Sequence, residues 1–304
     1  MTVYYRHIVL LSILETFGGE LTAKRFQKLL FLFVDRQSLD KPLYEFAPYL
    51  YGCFSFGANK DMVALEKNGF ITLNDSVDKE KTYFLNGSGY INRLDVFDQD
   101  TLNRVSSRFG SLTQNELIRF IYQNYPFFAV RSRIATQILD QEDMTRLNHY
   151  RSKFVNDTPT LFTIGYEGLS LEKYITTLIR NDIRTLVDVR KNAFSMKYGF
   201  SKPVLSKACD AVGIRYVHIP ELGIENSERR ELNTQDDYDR LFDNYEKTTL
   251  RNNWNYLLKL REIVDSGVRV ALTCFEHDPR KCHRTCVANA LMGLKDIKYT
   301  YKTL

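Results

Sequence analysis

Apolar positions recur at helical spacing over residues 4–17 (YYRHIVLLSILETF), and the pattern restarts in GGELTAKRFQKLLFLFVDR, where Phe26, Leu29, Leu30 and Phe33 share one face. Gly18-Gly19 stops the first helix and Thr22 is placed to cap the second. The stretch KPLYEFAPYLYGCFSFGANKDMVALEKNGFITL predicts a glycine-punctuated loop, a helix near 58–68 and a turn at Asn68-Gly69. A strand pair is expected around 70–73 and 82–85. Three helices and then a hairpin is the order of a winged-helix module, expected over residues 1–95. Residues 96–157 form a helical connector in this scheme, with caps at Thr113 and Asn115 and a break at Pro126. The polar VNDTPT, residues 155–160, closes it as a linker.

From Leu161 the period changes. LFTIGYEG, IRTLVDVR, IRYVHIPEL, VRVALTCFE and IKYTYKT read as five strands. LSLEKYITTLIRND, SKPVLSKACDAVG, a long run over 238–267 and CHRTCVANALMG read as the helices between them. Such alternation over 158–304 predicts an α/β domain, a mainly parallel sheet with helices on both faces. Ligands of these sheets bind outside the carboxyl ends of the strands. Those ends carry Tyr166 and Glu167, Asp188 and Arg190, His218 and Glu221, and Cys274 with Glu276. Tyr166 and Glu167 sit between two glycines, which permit close approach of backbone to a ligand.

Composition narrows the class without naming a function. With 304 residues, 44% hydrophobic and 13% aromatic, the chain can bury two cores. Its longest apolar runs, IVLLSIL and LLFLF, are too short to span a bilayer, and MTVYYRHIV lacks the layout of a signal peptide. Five cysteines show no disulfide framework, so a cytoplasmic location is expected, without membrane contact. The formal charge of +5 is unevenly spread: 11 basic against 13 acidic residues over 1–100, 8 against 5 over 101–157, and 23 against 19 beyond. The N-terminal segment is thus slightly acidic, and its one basic cluster, Lys24, Arg25 and Lys28, suits the wet face of a helix. Protein contact is favoured over DNA contact there. Arg131 and Arg133 beside Tyr122, Tyr125, Phe127 and Phe128 offer either a nucleic-acid surface or helices packed between domains.

The residues carry two resemblances. KRFQKLLFLFVDR followed by YEFAPYLYGCFSFGANKDMVALEKNGFI resembles the Panacea-type domains found beside toxins and in phage-related loci, over roughly residues 5–90. TIGYEG, TLVDVR, GIRYVHIPELG and LTCFEHDPRKCHR, in this order, resemble the family catalogued as domain of unknown function 488, over about 161–304. The second resemblance implies the α/β fold and one site, and no particular reaction. Together they imply a role in defence against mobile DNA or in handling nucleic acid.

The run TCFEHDPRKCHRTC, Thr273 to Cys286, holds three of the five cysteines and two of the five histidines. Zinc is one reading, since thiolate and imidazole are its preferred ligands. Against it, Cys282 and His283 are adjacent and no second ligand pair occurs, so no metal site is assigned. A second reading takes Cys274 to Arg280 as the C-x5-R of an anion cradle with a thiolate nucleophile. Glu276, Asp278 and Pro279 weaken it, by charge and by loss of an amide donor. The preferred reading places an anion at the N-terminus of the following helix, held by His283 and Arg284 with Lys281, Arg190 and Arg280 near. Glu167, Asp188 and Glu276 are then the acid and base candidates, with Tyr166, Arg190, His218, Glu221, Cys274, Cys282, His283 and Arg284 lining the substrate.

The functional expectation is a hydrolase directed at a nucleotide or nucleic acid, with no cofactor or oligomeric state assigned. The alternative is a non-catalytic sensor of nucleotide or nucleic acid that signals through a protein partner of the N-terminal domain.

Overall fold

Apolar residues surround the first helix on nearly every side, which marks it as a core element, and His7 through Leu14 are all buried. The computed structural model describes residues 2–37, 39, 41–75, 80–229, 232–266 and 269–304. The chain divides into two compact units, Met1–Ser152 and Lys153–Leu304. No helix among the described residues is long and apolar enough to cross a membrane.

The first unit runs α1 (Tyr5–Thr16), β1 (Glu20–Thr22), α2 (Ala23–Gln37), β2 (Ala47–Tyr49), β3 (Gly52–Phe54), α3 (Phe56–Lys67), β4 (Ile71–Asn74) and β5 (Thr82–Leu85). It continues through α4 (Val96–Phe109), α5 (Gln114–Asn124), α6 (Ala135–Ile138) and α7 (Gln141–Ser152). An antiparallel sheet has the order β1-β5-β4, and β2-β3 is a separate hairpin. Thr22 accepts the Arg25 amide at 3.3 Å, as a cap does. Thr113 caps α5 in a reciprocal box with Glu116, while Asn115 lies inside the helix. The α4 and α5 residues Leu102, Val105, Phe109, Leu117 and Ile121 join the same core as α1 and α2. Phe31 meets Tyr125 and Phe128 edge-on in this unit, and Tyr122 is buried with its hydroxyl on Ser132. These aromatic rings are core packing.

The second unit alternates β6 (Thr160–Gly165), α8 (Leu171–Arg180), β7 (Thr185–Asp188), α9 (Lys202–Ala211), β8 (Arg215–His218), α10 (Gln235–Tyr245), α11 (Trp254–Asp265), β9 (Val270–Cys274), α12 (Arg284–Met292) and β10 (Thr300–Thr303). The expected long helix over 238–267 is two helices joined by a π-helical turn, Glu246–Leu250, and its end at Gly267 lies outside the described residues. So does the expected strand start at Val268. The sheet order is β10-β6-β9-β7-β8, and every neighbouring pair is parallel. All residues of β6, β7 and β9 are buried, which is why their sequences read as continuous apolar runs. Leu272 packs with α11 and α12, whereas its neighbour Thr273 accepts the Tyr174 hydroxyl of α8 at 2.7 Å. Successive strand residues point to opposite faces, so helices cover both. The chain leaves β6 toward β7 and leaves β9 toward β10 on the other side. The crevice this reversal opens lies at the carboxyl ends of β6 and β9, where Gly165 is in register with Cys274.

Candidate functional site

Two glycines let the loops converge above that crevice. A Cβ on Gly165 would stand 1.9 Å from the Glu276 carbonyl oxygen, so only glycine admits the loop after β9 across the end of β6. The Glu167 amide then donates to the Phe275 carbonyl at 2.8 Å. A Cβ on Gly223 would likewise meet the Lys191 amide nitrogen at 2.1 Å, which brings the turn after β8 against the loop after β7.

Beneath the loops lies a pocket of about 300 Å³ with Cys274, His283, Glu276 and Arg229 in its lining. The Cys274 Sγ stands 3.7 Å from His283 Nδ1 and 3.2 Å from Glu276 Oε2. The buried His283 ring donates its Nε2 proton to the Val189 carbonyl at 2.9 Å. That leaves the Nδ1 lone pair facing Cys274 and receiving Arg229 Nη2 at 2.7 Å. Arg229 Nη1 ion-pairs with Glu276. Tyr166, Phe194 and Phe275 supply aromatic surface, Tyr166 being stacked on Phe200 with ring centres 4.3 Å apart.

The charges in this cluster tune one another. Burial alone would push the Cys274 thiol up, but the hydrogen bond from Cys282, the His283 ring and the Arg229 charge outweigh it and hold Cys274 well below the ordinary thiol value. Cys282 moves the opposite way through burial, its hydrogen bond to Cys274 and the Cys274 charge, so Cys274 ionises first. Glu276 is raised by burial and by the Cys274 charge, against the pull of Arg229. Cys274, Cys282 and His283 bring their ligand atoms within 4.8 Å of one another, all buried, although no metal site was assigned from the sequence.

The other expected site residues are held elsewhere. Asp188 is wholly buried and clamps Arg190, whose Nε lies 2.8 Å from Oδ1 and Nη2 2.5 Å from Oδ2. Tyr216 also donates to Asp188 at 2.6 Å, and Arg190 spends Nη1 on the Tyr166 hydroxyl and the Phe200 carbonyl, at 2.7 and 2.9 Å. Arg190 lines the pocket with its donors committed, and Asp188 is sealed from it, so this pair braces the loop after β7. Arg284 is wholly buried and turns inward to the carbonyls of Glu276 and His277, away from any anion in the pocket. His218 donates to the Arg190 carbonyl at 2.8 Å from outside the pocket lining. Exposed Glu167 accepts the His277 amide at 2.9 Å, and half-buried Glu221 sits on the turn Pro220–Leu222. The arginine of the C-x5-R spacing, Arg280, points to solvent and pairs with Asp278 at 3.0 Å. Exposed Lys281 lies 5.9 Å from the Tyr238 ring centre. Arg229, which the residue pattern does not single out, also lines the pocket as a cation, held there by Glu276 and His283. Its only signal was the charged run ENSERR immediately beyond the end of the third strand.

Fold and pocket together define a parallel α/β domain with a polar site of sulfur, imidazole, carboxylate and guanidinium at its topological switch point. Residues 170–291 match the family model described as Domain of unknown function DUF488. The match contains Arg229, Cys274, Glu276, Cys282 and His283, begins after Tyr166 and Glu167, and does not reach the first unit. The resemblance of the first unit to Panacea-type domains therefore draws no support from it. No curated protein and no solved structure matches the chain.

Proposed function

We propose that the C-terminal unit is a hydrolase for a nucleotide, free or as a unit of nucleic acid. The observation that carries this is the convergence of Glu276, Arg229, His283 and Cys274 on one pocket at the carboxyl end of the sheet. Arg229 binds a substrate phosphate by exchanging its ion pair with Glu276, which frees that carboxylate to accept a proton from attacking water and return it to the leaving group. Tyr166, Phe194 and Phe275 provide ring surface for a base.

The test is product release from a panel of nucleotides and short single-stranded oligonucleotides, followed by chromatography. Glu276→Gln is expected to lower kcat by about 10²–10⁴-fold with binding retained. Arg229→Met is expected to act mainly on KM for phosphate-bearing substrates. Turnover of no member of the panel, with binding intact, replaces the hydrolase by the sensor.

The sensor reading draws on the first unit, which we read as winged-helix-like. Its support is the order α1-β1-α2-α3-β4-β5, interrupted between α2 and α3 by the separate β2-β3 hairpin, with sheet order β1-β5-β4. Lys24 pairs with Glu80 at 3.2 Å, Arg25 donates to the Gly110 carbonyl at 2.8 Å and Lys28 is buried. The basic cluster is thereby spent inside the unit, which favours a protein partner over DNA.

A further inference from the structure

We infer that Cys274, Cys282 and His283 bind one divalent transition-metal ion, zinc by ligand preference, with the fourth coordination position open to the pocket. The three groups are buried and mutually within 4.8 Å. A tetrahedral zinc ion bonded to sulfur at about 2.3 Å and nitrogen at about 2.0 Å sets those atoms about 3.5 Å apart. Cys274 Sγ and His283 Nδ1 are separated by 3.7 Å. The hydrogen bond from His283 Nε2 to the Val189 carbonyl, 2.9 Å long, fixes the tautomer whose Nδ1 lone pair is free, as the outer partner of a metal-binding histidine does.

Cys282 decides between an ion and a simple thiol nucleophile. A nucleophile with its base needs Cys274 and His283 alone. Cys282 is wholly buried beside them with its sulfur within 4.8 Å of both ligand atoms, so a bond to the ion replaces its hydrogen bond to Cys274 and makes it the third ligand. Closed sites of four protein ligands are structural, whereas three ligands and a vacancy are catalytic. Cys274 and His283 line the pocket, so the vacancy faces substrate.

This inference rests on the hydrolase reading only for what the ion does. A water on the ion gives a proton to Glu276, its oxygen bonds to the electrophilic centre, the bond to the leaving group breaks, and the Glu276 proton passes to the leaving group. Arg229 leaves His283 Nδ1 when the ion binds and keeps its second nitrogen for Glu276 or the substrate anion.

Metal content of the full chain purified without chelator, and cobalt(II) titration of the stripped chain, test the site without any substrate. About one equivalent of zinc and thiolate-to-cobalt absorption are expected. Cys274→Ser, Cys282→Ser and His283→Asn abolish the absorption with unchanged far-ultraviolet dichroism, while Cys209→Ser and Cys286→Ser keep it. Should a ligand variant fail to fold, the titration of the stripped wild-type chain still decides. A chain that purifies without metal and shows no thiolate band with cobalt overturns the inference. Glu276→Gln separates the two proposals, because it keeps the metal and loses hydrolysis; a metallated wild-type chain without turnover overturns the hydrolase alone.

Discussion

Lys28 is a single residue whose burial runs against its chemistry. It lies on the apolar side of α2, is 2% exposed, and donates to the Cys53 carbonyl at 3.0 Å. Burial holds its amine below the ordinary lysine value, with Lys24 adding to the effect and Cys53 opposing it. The folded state therefore disfavours the bound proton, whereas the unfolded chain binds it up to the ordinary value of 10.5. Stability must rise with pH between the depressed and the ordinary value. Lys28→Met is expected to stabilise the first unit at pH 7 by about 1–4 kcal/mol and to flatten that rise. Urea denaturation at pH 7 and pH 10 measures both, and a loss of stability at pH 7 would mean that the Cys53 bond outweighs desolvation. Its charge places Lys28 on the wet face of the helix when read from sequence, whereas the fold buries methylenes and amine together.

Among the elements, the loops after β6, β7, β8 and β9 set the site, and the brace after β7 is the one most exposed to a single change. Removing one charge of a buried pair leaves the other without compensation, which costs more than the pair contributes. Asp188→Asn leaves Arg190, whose side chain is 6% exposed, without its counter-charge. The expected loss is about 3–5 kcal/mol in the stability of the second unit, read by denaturant midpoint. A change below about 1 kcal/mol would mean that the pair does not brace the loop. Local pattern anticipated α1, α2, α3, α8 and α9, because each buries one stripe or is buried all round. It did not anticipate β1, β2 and β3, each only three residues long, since so short a strand cannot display an alternation.

Across the whole molecule, the second unit holds every group of the candidate site, including both loops that need glycine. Residues 153–304 expressed alone are expected to unfold cooperatively and to keep the cobalt absorption of the full chain. A fragment that collapses without a cooperative transition would show that the first unit is required for its core.

The α/β alternation, the buried strands and the run from Cys274 to Arg284 were settled by the sequence alone, because burial and covalent neighbourhood leave their mark on consecutive residues. That run could be read as chemically dense before any fold was known. Which of the charged residues at the strand ends face a substrate was decided only in three dimensions. Asp188, Arg190 and Arg284 are indistinguishable in sequence from groups free to react, yet they spend their hydrogen bonds on one another and on nearby carbonyls. Arg229 reaches Glu276 and His283 from a loop 47 and 54 residues away along the chain. Pairing falls steeply with distance, and distance between remote residues exists only once the sheet has wound.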